Sequence, residues 1–233
     1  MKTSNINFGD VNFAVDFNNF DIQNVQTEET INAVFVVDVS PSIDKYVNEL
    51  NVAFNDFIQE MQQSHVSERL LVSRIEFCED VKVVNGFQPI SNVSLMKFKP
   101  KGNGTALYDA VLLGMKNAVE YRENLEKSGV KTKTILFILT DGMDNSSAYG
   151  ADSEVKRAID EFKDEKNIFS FTSILFGIGD VNKQYFEDAK NKMGVQHLFS
   201  VGVTAKEIRK MINFISSSIS STSSGKPITS VQF

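Results

Sequence analysis

Two aspartates and three hydroxyl side chains stand where buried apolar runs give way to loops. The run Ala33-Val34-Phe35-Val36-Val37 ends at Asp38, and Ser40 and Ser42 follow at alternate positions in VVDVSPSID. A second run, TILFIL, ends at Thr140-Asp141-Gly142. Between them, Thr105 closes the glycine-containing stretch KGNGT just before the apolar periodicity of ALYDA resumes. Carboxylates and hydroxyls are hard oxygen donors, and neither imidazole nor thiolate stands beside them. Such a set suits Mg2+, with Mn2+ or Ca2+ as substitutes, rather than zinc or copper. Two carboxylates buried close together repel, and one would be driven to take a proton. A divalent cation between them removes that penalty. The competing explanation is local: Asp and Ser commonly cap helices, and Asp38 and Ser40 could simply start the helix that follows.

The elements that must position these residues read as alternating strands and helices. The apolar run from Ile31 to Val37 is continuous, the mark of a strand buried on both faces. Ile43 to Met61 carries Val47, Leu50, Phe54, Phe57, Ile58 and Met61 at helical spacing. Leu70–Phe77 and Val81–Val84 read as a hairpin. Ala106–Leu125 is a second long helix, followed by Gly129. Thr134–Leu139 is a strand, Glu154–Phe162 a helix and residues 168–176 a strand. Lys183–Met193 is helical, His197–Val201 a short strand and Ala205–Ile219 the last helix. This alternation predicts a doubly wound α/β fold. Its central sheet has about six strands, mostly parallel, with one short antiparallel edge strand and helices on both faces. Ligands in such sheets bind beyond the carboxyl ends of the strands, where the strand order reverses. Residues 1–30 are rich in Asn and Phe, with apolar residues at alternate positions, and read as a strand or hairpin extension. Residues 31–221 form the main domain, and residues 222–233 a flexible Ser-rich tail.

Composition narrows the function classes. Of 233 residues, 42% are hydrophobic and 23% charged, values of an ordinary globular protein. The net charge of −6 with scattered Lys and Arg argues against a nucleic-acid surface. The single cysteine, Cys78, permits no internal disulfide and no cysteine-based zinc site. No apolar stretch approaches a membrane span and the first residues lack a signal-peptide core, so a cytoplasmic protein is expected. The 19 phenylalanines imply a core packed with rings.

Asp38-Val39-Ser40-Pro41-Ser42, Thr105 within GNGTALYDA and Asp141 within LTDG resemble the metal-ion-dependent adhesion site of the von Willebrand factor A domain. The resemblance covers residues 31 to 221 and is greatest to intracellular bacterial and phage members (TerY-like). It implies that Ser40, Ser42 and Thr105 ligate the ion through their hydroxyls, and that Asp38 and Asp141 sit close to it, often acting through water. It further implies an open coordination position, filled by water or by an Asp or Glu of a protein partner. Intracellular members often work beside AAA+ ATPases. Pro41 departs from the glycine common between the two serines, which implies a stiffer loop.

Other residues carry less. Asp44 and Asp109 read as first-turn acids facing helix dipoles. Asp144 and Asn145 border the site on what reads as a solvated loop, with shaping of partner choice as the alternative, and Gly102 and Gly104 read as a flexible one. Gly177-Ile178-Gly179 is a strand-end turn, since the third glycine of a dinucleotide fingerprint is out of place. His65 and His197 stand alone. A Mg2+-dependent phosphotransfer enzyme would also place an Asp at a strand end. Ser40, however, stands where a phosphatase of the haloacid-dehalogenase type has a second acid, and no general base or activated nucleophile emerges. The expectation is a noncatalytic, metal-dependent protein-binding module. The alternative is an assembly protein whose N-terminal extension adds a strand to a neighbour.

Overall fold

The computed structural model describes residues 29–164, 171–179 and 183–224. The N-terminal extension through residue 28 and the tail from residue 225 lie outside the described residues. Six strands form one sheet: β1 (Glu29–Asp38), β2 (Leu70–Phe77), β3 (Val81–Pro89), β4 (Lys131–Thr140), β5 (Phe171–Ile178) and β6 (His197–Val201). Their order is β3-β2-β1-β4-β5-β6. All neighbours pair in parallel except β2 and β3, which pair antiparallel at the edge. The expected architecture is therefore the observed one. The edge strand runs past Val84 to Pro89, beyond the first register shifts in its pairing with β2.

Among the described residues, five helices cover the sheet: α1 (Val47–Gln62), α2 (Leu107–Lys127), α3 (Ala151–Asp164), α4 (Lys183–Met193) and α5 (Ala205–Ser223). Alternation along β1 divides them between two faces. Ala33, Phe35 and Val37 turn toward α1 and α5, whereas Val34 and Val36 turn toward α2 and α3. Both sides of β1 thus meet apolar layers, which is why its sequence shows no polar alternation. The phenylalanine excess goes where composition pointed. Phe35 stacks on Phe137 at 5.2 Å between ring centroids and meets Phe54 and Phe57 edge-on at 5.5 and 5.6 Å.

The first helix does not begin at Ile43. Pro41–Lys45 forms a 3-10 turn that stops at Tyr46, and α1 starts at Val47. Pro41 fits the first position of that turn, where no backbone N–H is needed. Ser40 before it is extended, at φ −61° and ψ 164°, as a residue preceding proline should be. The last helix opens on a capping box between Thr204 and Glu207.

Two features of the topology place the site. Strand order reverses between β1 and β4, so the crevice lies at their carboxyl ends. The β1–β4 register pairs Val37 with Leu139, which sets Asp38 level with Thr140 and one residue from Asp141.

Phe35 has no exposed surface and touches rings from both α1 and β4. Phe35→Ala is expected to destabilise the protein by about 3–5 kcal/mol. A fall in the urea midpoint with an unchanged m-value would report it.

Candidate metal centre

Asp38 is fixed before any ligand arrives. Its Oδ1 accepts the backbone N–H of Ser40 at 2.8 Å, and its Oδ2 accepts the hydroxyl of Thr140 at 2.7 Å. The β1 chain end and the β4 chain end are thus joined through one carboxylate. Asp141 accepts the Ser42 hydroxyl at 2.6 Å, and Ser42 and Ser40 share a hydrogen bond of 3.0 Å between their hydroxyl oxygens. Asp38, Ser40, Ser42 and Asp141 therefore form one connected set of oxygens.

Thr105 enters from the other side. A Cβ placed on Gly142 would stand 3.5 Å from Thr105 Oγ1 and 3.9 Å from Asp38 Oδ2, so both oxygens flank this glycine. All five predicted residues meet at the β1/β4 edge. Asp38, Ser40, Thr105 and Asp141 are buried, and Ser42 is exposed.

The capping explanation fails for the hydroxyls. Ser40 occupies the N-cap of the 3-10 turn without a side-chain capping bond. The N-cap of α2 is Ala106, again without one, so Thr105 does not cap either.

Burial dominates the electrostatics. It raises the Asp38 pKa above the usual carboxylate range, with the hydrogen bonds from Thr140 and Ser40 working against it and the charge of Asp141 adding to it. Burial raises Asp141 likewise, opposed by hydrogen bonds from Ser42 and Tyr46. Tyr46, buried beside both acids, is held firmly protonated, first by desolvation and then by their charges. Two desolvated carboxylates without a cation are unfavourable in their charged form, and a divalent ion would relieve both. The donor set fits such an ion: hard oxygens only, two of them carboxylates. No group of three or more His, Cys, Asp or Glu that could hold a metal ion is found among the described residues, so at this site the hydroxyls would have to contribute.

Several supporting residues escaped the sequence reading. Thr140 could have been noticed as the polar end of an apolar run, and Tyr46 lies one helical turn beyond Ser42. Nothing local marks the loop after β4. It is largely exposed, as expected, and it also makes bonds that sequence does not show: Asn145 Oδ1 accepts the Thr105 N–H at 2.8 Å, and the N–H groups of Asn145 and Ser146 bond the Thr105 carbonyl. Ser147 Oγ accepts the N–H groups of Tyr108 and Asp109 at 3.0 and 3.1 Å, capping α2 from a distance. Asp109 is a first-turn acid as expected, and its Oδ2 also accepts the Ala148 N–H at 3.1 Å.

The glycine loop before Thr105 is likewise pinned rather than flexible. Glu79 accepts the N–H groups of Asn103 and Gly104 at 2.7 and 3.2 Å. Gly102 takes φ +74°, and a Cβ there would collide with the Glu79 carboxylate and Cys78, so glycine is required twice over. The Cys78 thiol is pushed up chiefly by burial, with Glu79 adding to it. His65 and His197 are exposed and distant from this cluster in the fold.

Residues 32–213 match the family model described as the von Willebrand factor type A domain. No curated protein matches the chain. Among solved structures, the pilus adhesin SpaC of Lactobacillus rhamnosus GG in its open conformation is similar at TM-score 0.56 and 16% identity, over 83% of this chain and 30% of the adhesin. The conserved hypothetical protein BatB of Bacteroides thetaiotaomicron is similar at TM-score 0.53 and 14% identity, over 83% of this chain and 99% of BatB. Proximal thread matrix protein 1 of the mussel byssus, with a zinc-occupied MIDAS motif, is similar at TM-score 0.50 and 20% identity, over 81% of this chain and 47% of its own. The chain thus spans under a third of the adhesin, under half of the byssus protein and nearly all of BatB. At these identities the likeness is one of fold.

The raised carboxylates set a pH dependence for the metal-free protein. A folded pKa above the unfolded value contributes stability below the unfolded pKa and loses it as pH rises through the folded one. In chelator at neutral pH, Asp141→Asn is therefore expected to be more stable than the parent chain by on the order of 1 kcal/mol. The gap should close on acidification. Thermal melts across pH check both signs.

Proposed function

Because the chain belongs to the von Willebrand factor type A family, we propose that it is a noncatalytic protein-binding module that works through one divalent metal ion. Asp38, Ser40, Ser42, Thr105 and Asp141 hold the ion. The observation that carries this reading is the meeting of two buried carboxylates and three non-capping hydroxyls at the strand-order reversal. Mg2+ is the ion the donors suit best, with Mn2+ or Ca2+ able to replace it. The zinc in the byssus protein's MIDAS motif belongs to that protein; here no Cys or His stands among the five donors, which disfavours zinc as the resident ion.

When bound, the ion supplies a Lewis-acidic position for an external oxygen. The chain's own residues hold that position in place. Thr140 and the Ser40 N–H fix Asp38, Tyr46 and Ser42 fix Asp141, and Asn145 fixes the Thr105 backbone. Only two of the five donors are charged, so the ion retains electrophilic character, and the group that completes it is an Asp or Glu of a protein partner. The adhesin among the structural neighbours fits an interaction role. No general base or activated nucleophile accompanies the site, which supports a noncatalytic role. Cytoplasmic residence in a bacterium or phage-infected cell, beside an AAA+ ATPase system, is the setting this reading carries. No helix among the described residues is long and apolar enough to cross a membrane.

Mg2+ is expected to raise the melting temperature of the parent chain, and Asp38→Ala to abolish that shift. Affinity capture from the native host, with Mg2+ or with chelator, is expected to recover a partner only when both Asp38 and the ion are present. Equal recovery in every arm would sink the metal bridge. A phosphatase activity lost in Asp38→Ala would instead favour the enzyme reading.

A further inference from the structure

Between β3 and α2 the chain runs beside α1 as an extended strap. Gln62 holds its start, donating to the Ile90 and Val93 carbonyls at 3.0 and 3.1 Å. Asn55 Oδ1 accepts the Met96 N–H at 2.8 Å. Asn51 bonds Phe98 twice, accepting its N–H at 2.6 Å and donating to its carbonyl at 3.1 Å. Two asparagines of a helix thus stand in for one neighbour of a strand. Burial alternates to match: Met96 and Phe98 are buried, whereas Lys97, Lys99 and Lys101 are exposed. Pro100 keeps Lys99 out of the helical region.

In an extended chain the backbone groups of successive residues point to opposite edges. Those of Met96 and Phe98 face α1, so those of Lys97 and Lys99 face away from it. Among the described residues no strand of the sheet pairs with that outer edge. The strap is a strand with one edge tied and the other open.

The same place gathers positive charge. The Arg74 guanidinium of β2 lies 5.7 Å from the centre of the Phe98 ring, the residue that Lys97 and Lys99 flank. Arg74 and Lys101 each stand 3.7 Å from Glu76, and Lys82 of β3 is the register partner of Glu76. The acids of α1 are turned elsewhere. Glu60 reaches Ser216 of α5, while Asp56 and Glu49 stand about 100° and 160° around the helix from Asn55 and Asn51. Glu79 and Asp80 lie on the β2–β3 turn, and Glu79 is taken up by the Asn103 and Gly104 N–H groups. Burial lowers the Arg74 pKa, with Glu76 working against it, and an added anion would relieve that desolvated cation.

In a chain of net charge −6 this is a local reversal of sign. Its field reaches about 8 Å in physiological salt, so a short acidic segment feels the cations while a large polyanion also meets the acidic remainder. Single-stranded nucleic acid would want exposed aromatic faces for stacking, and Phe98 is buried.

We infer that residues 96–99 form a docking edge for an extended acidic peptide segment of a protein partner. The segment adds as a strand, its backbone bonding the open groups of Lys97 and Lys99. Its carboxylates, at every second position and so about 7 Å apart, face the two lysines. The metal centre takes no part, so this docking and the metal bridge stand or fall separately.

Fluorescence anisotropy on the full chain tests this, with a labelled peptide of about six residues that alternates Glu and Thr, an ordinary strand length. One control gathers the same residues into a Glu block and a Thr block, and another carries N-methyl groups on alternate residues. The alternating peptide is expected to bind more tightly than both and to weaken as salt is raised. The double variant Lys97→Glu/Lys99→Glu should keep the parent's melting temperature, since both side chains are exposed, and bind the peptide about tenfold more weakly. Binding should be equal in Mg2+, in chelator and in Asp38→Ala. No binding, equal binding of either control, or equal binding by the double variant overturns the inference. So does tighter binding of oligo(dT) or of phosphatidylserine vesicles than of the peptide, or loss of peptide binding in chelator.

Discussion

Two carboxylates are held out of water at neighbouring strand ends, and most of the surrounding architecture answers to that fact. Asp38 and Asp141 are each disfavoured as anions by burial, and each raises the difficulty for the other or for groups nearby. A protein can relieve such a pair by protonation, by hydrogen bonds or by a cation. This fold supplies hydrogen bonds from Thr140, Ser40, Ser42 and Tyr46, enough to orient the acids and too few to cancel the desolvation. The remaining relief is what a divalent ion would provide. On this reading the instability of the metal-free site and its affinity for a cation are one property.

The sheet makes that juxtaposition rigid. Parallel β1 and β4 end level, so their terminal side chains meet without any bend in the backbone. The apolar layers on both faces of β1, including the rings around Phe35, prevent the strand from sliding in register. Loops that carry the remaining donors are then tied to this frame by polar side chains. Glu79 holds the approach to Thr105, Asn145 holds Thr105 itself, and Ser147 holds the start of α2. Each bond satisfies a backbone donor at a helix or loop start that lacks a local partner. Loops of this kind look irregular in sequence and behave as part of the scaffold.

That arrangement separates affinity from selectivity. On the proposed reading the five oxygens and a cation would offer little beyond a direction, which any accessible carboxylate could complete. On that reading discrimination among partners would come from the residues around the site.

The sequence by itself indicated the order of the elements and a set of candidate donors. Continuous apolar runs read as strands buried on both faces, and Asp38, Ser40, Ser42 and Asp141 at their ends, with Thr105 before α2, stood out as candidate donors whose roles the family resemblance implied. The same logic reached the antiparallel edge hairpin and the ring-filled core. Local periodicity could not show the partners those residues acquire across the fold. Thr140 to Asp38 spans 102 positions, and Asn145 to Thr105 spans 40. A glycine pair that reads as flexible becomes fixed because Glu79, from a different strand end, accepts its backbone N–H groups. The loop after β4 is largely exposed, yet its Asn145 and Ser147 also accept backbone N–H groups of Thr105 and Tyr108. Tertiary structure decided whether each hydroxyl caps a helix or stays free to act as a donor, because a cap is a local bond and a shared site is made only when distant strand ends are brought level.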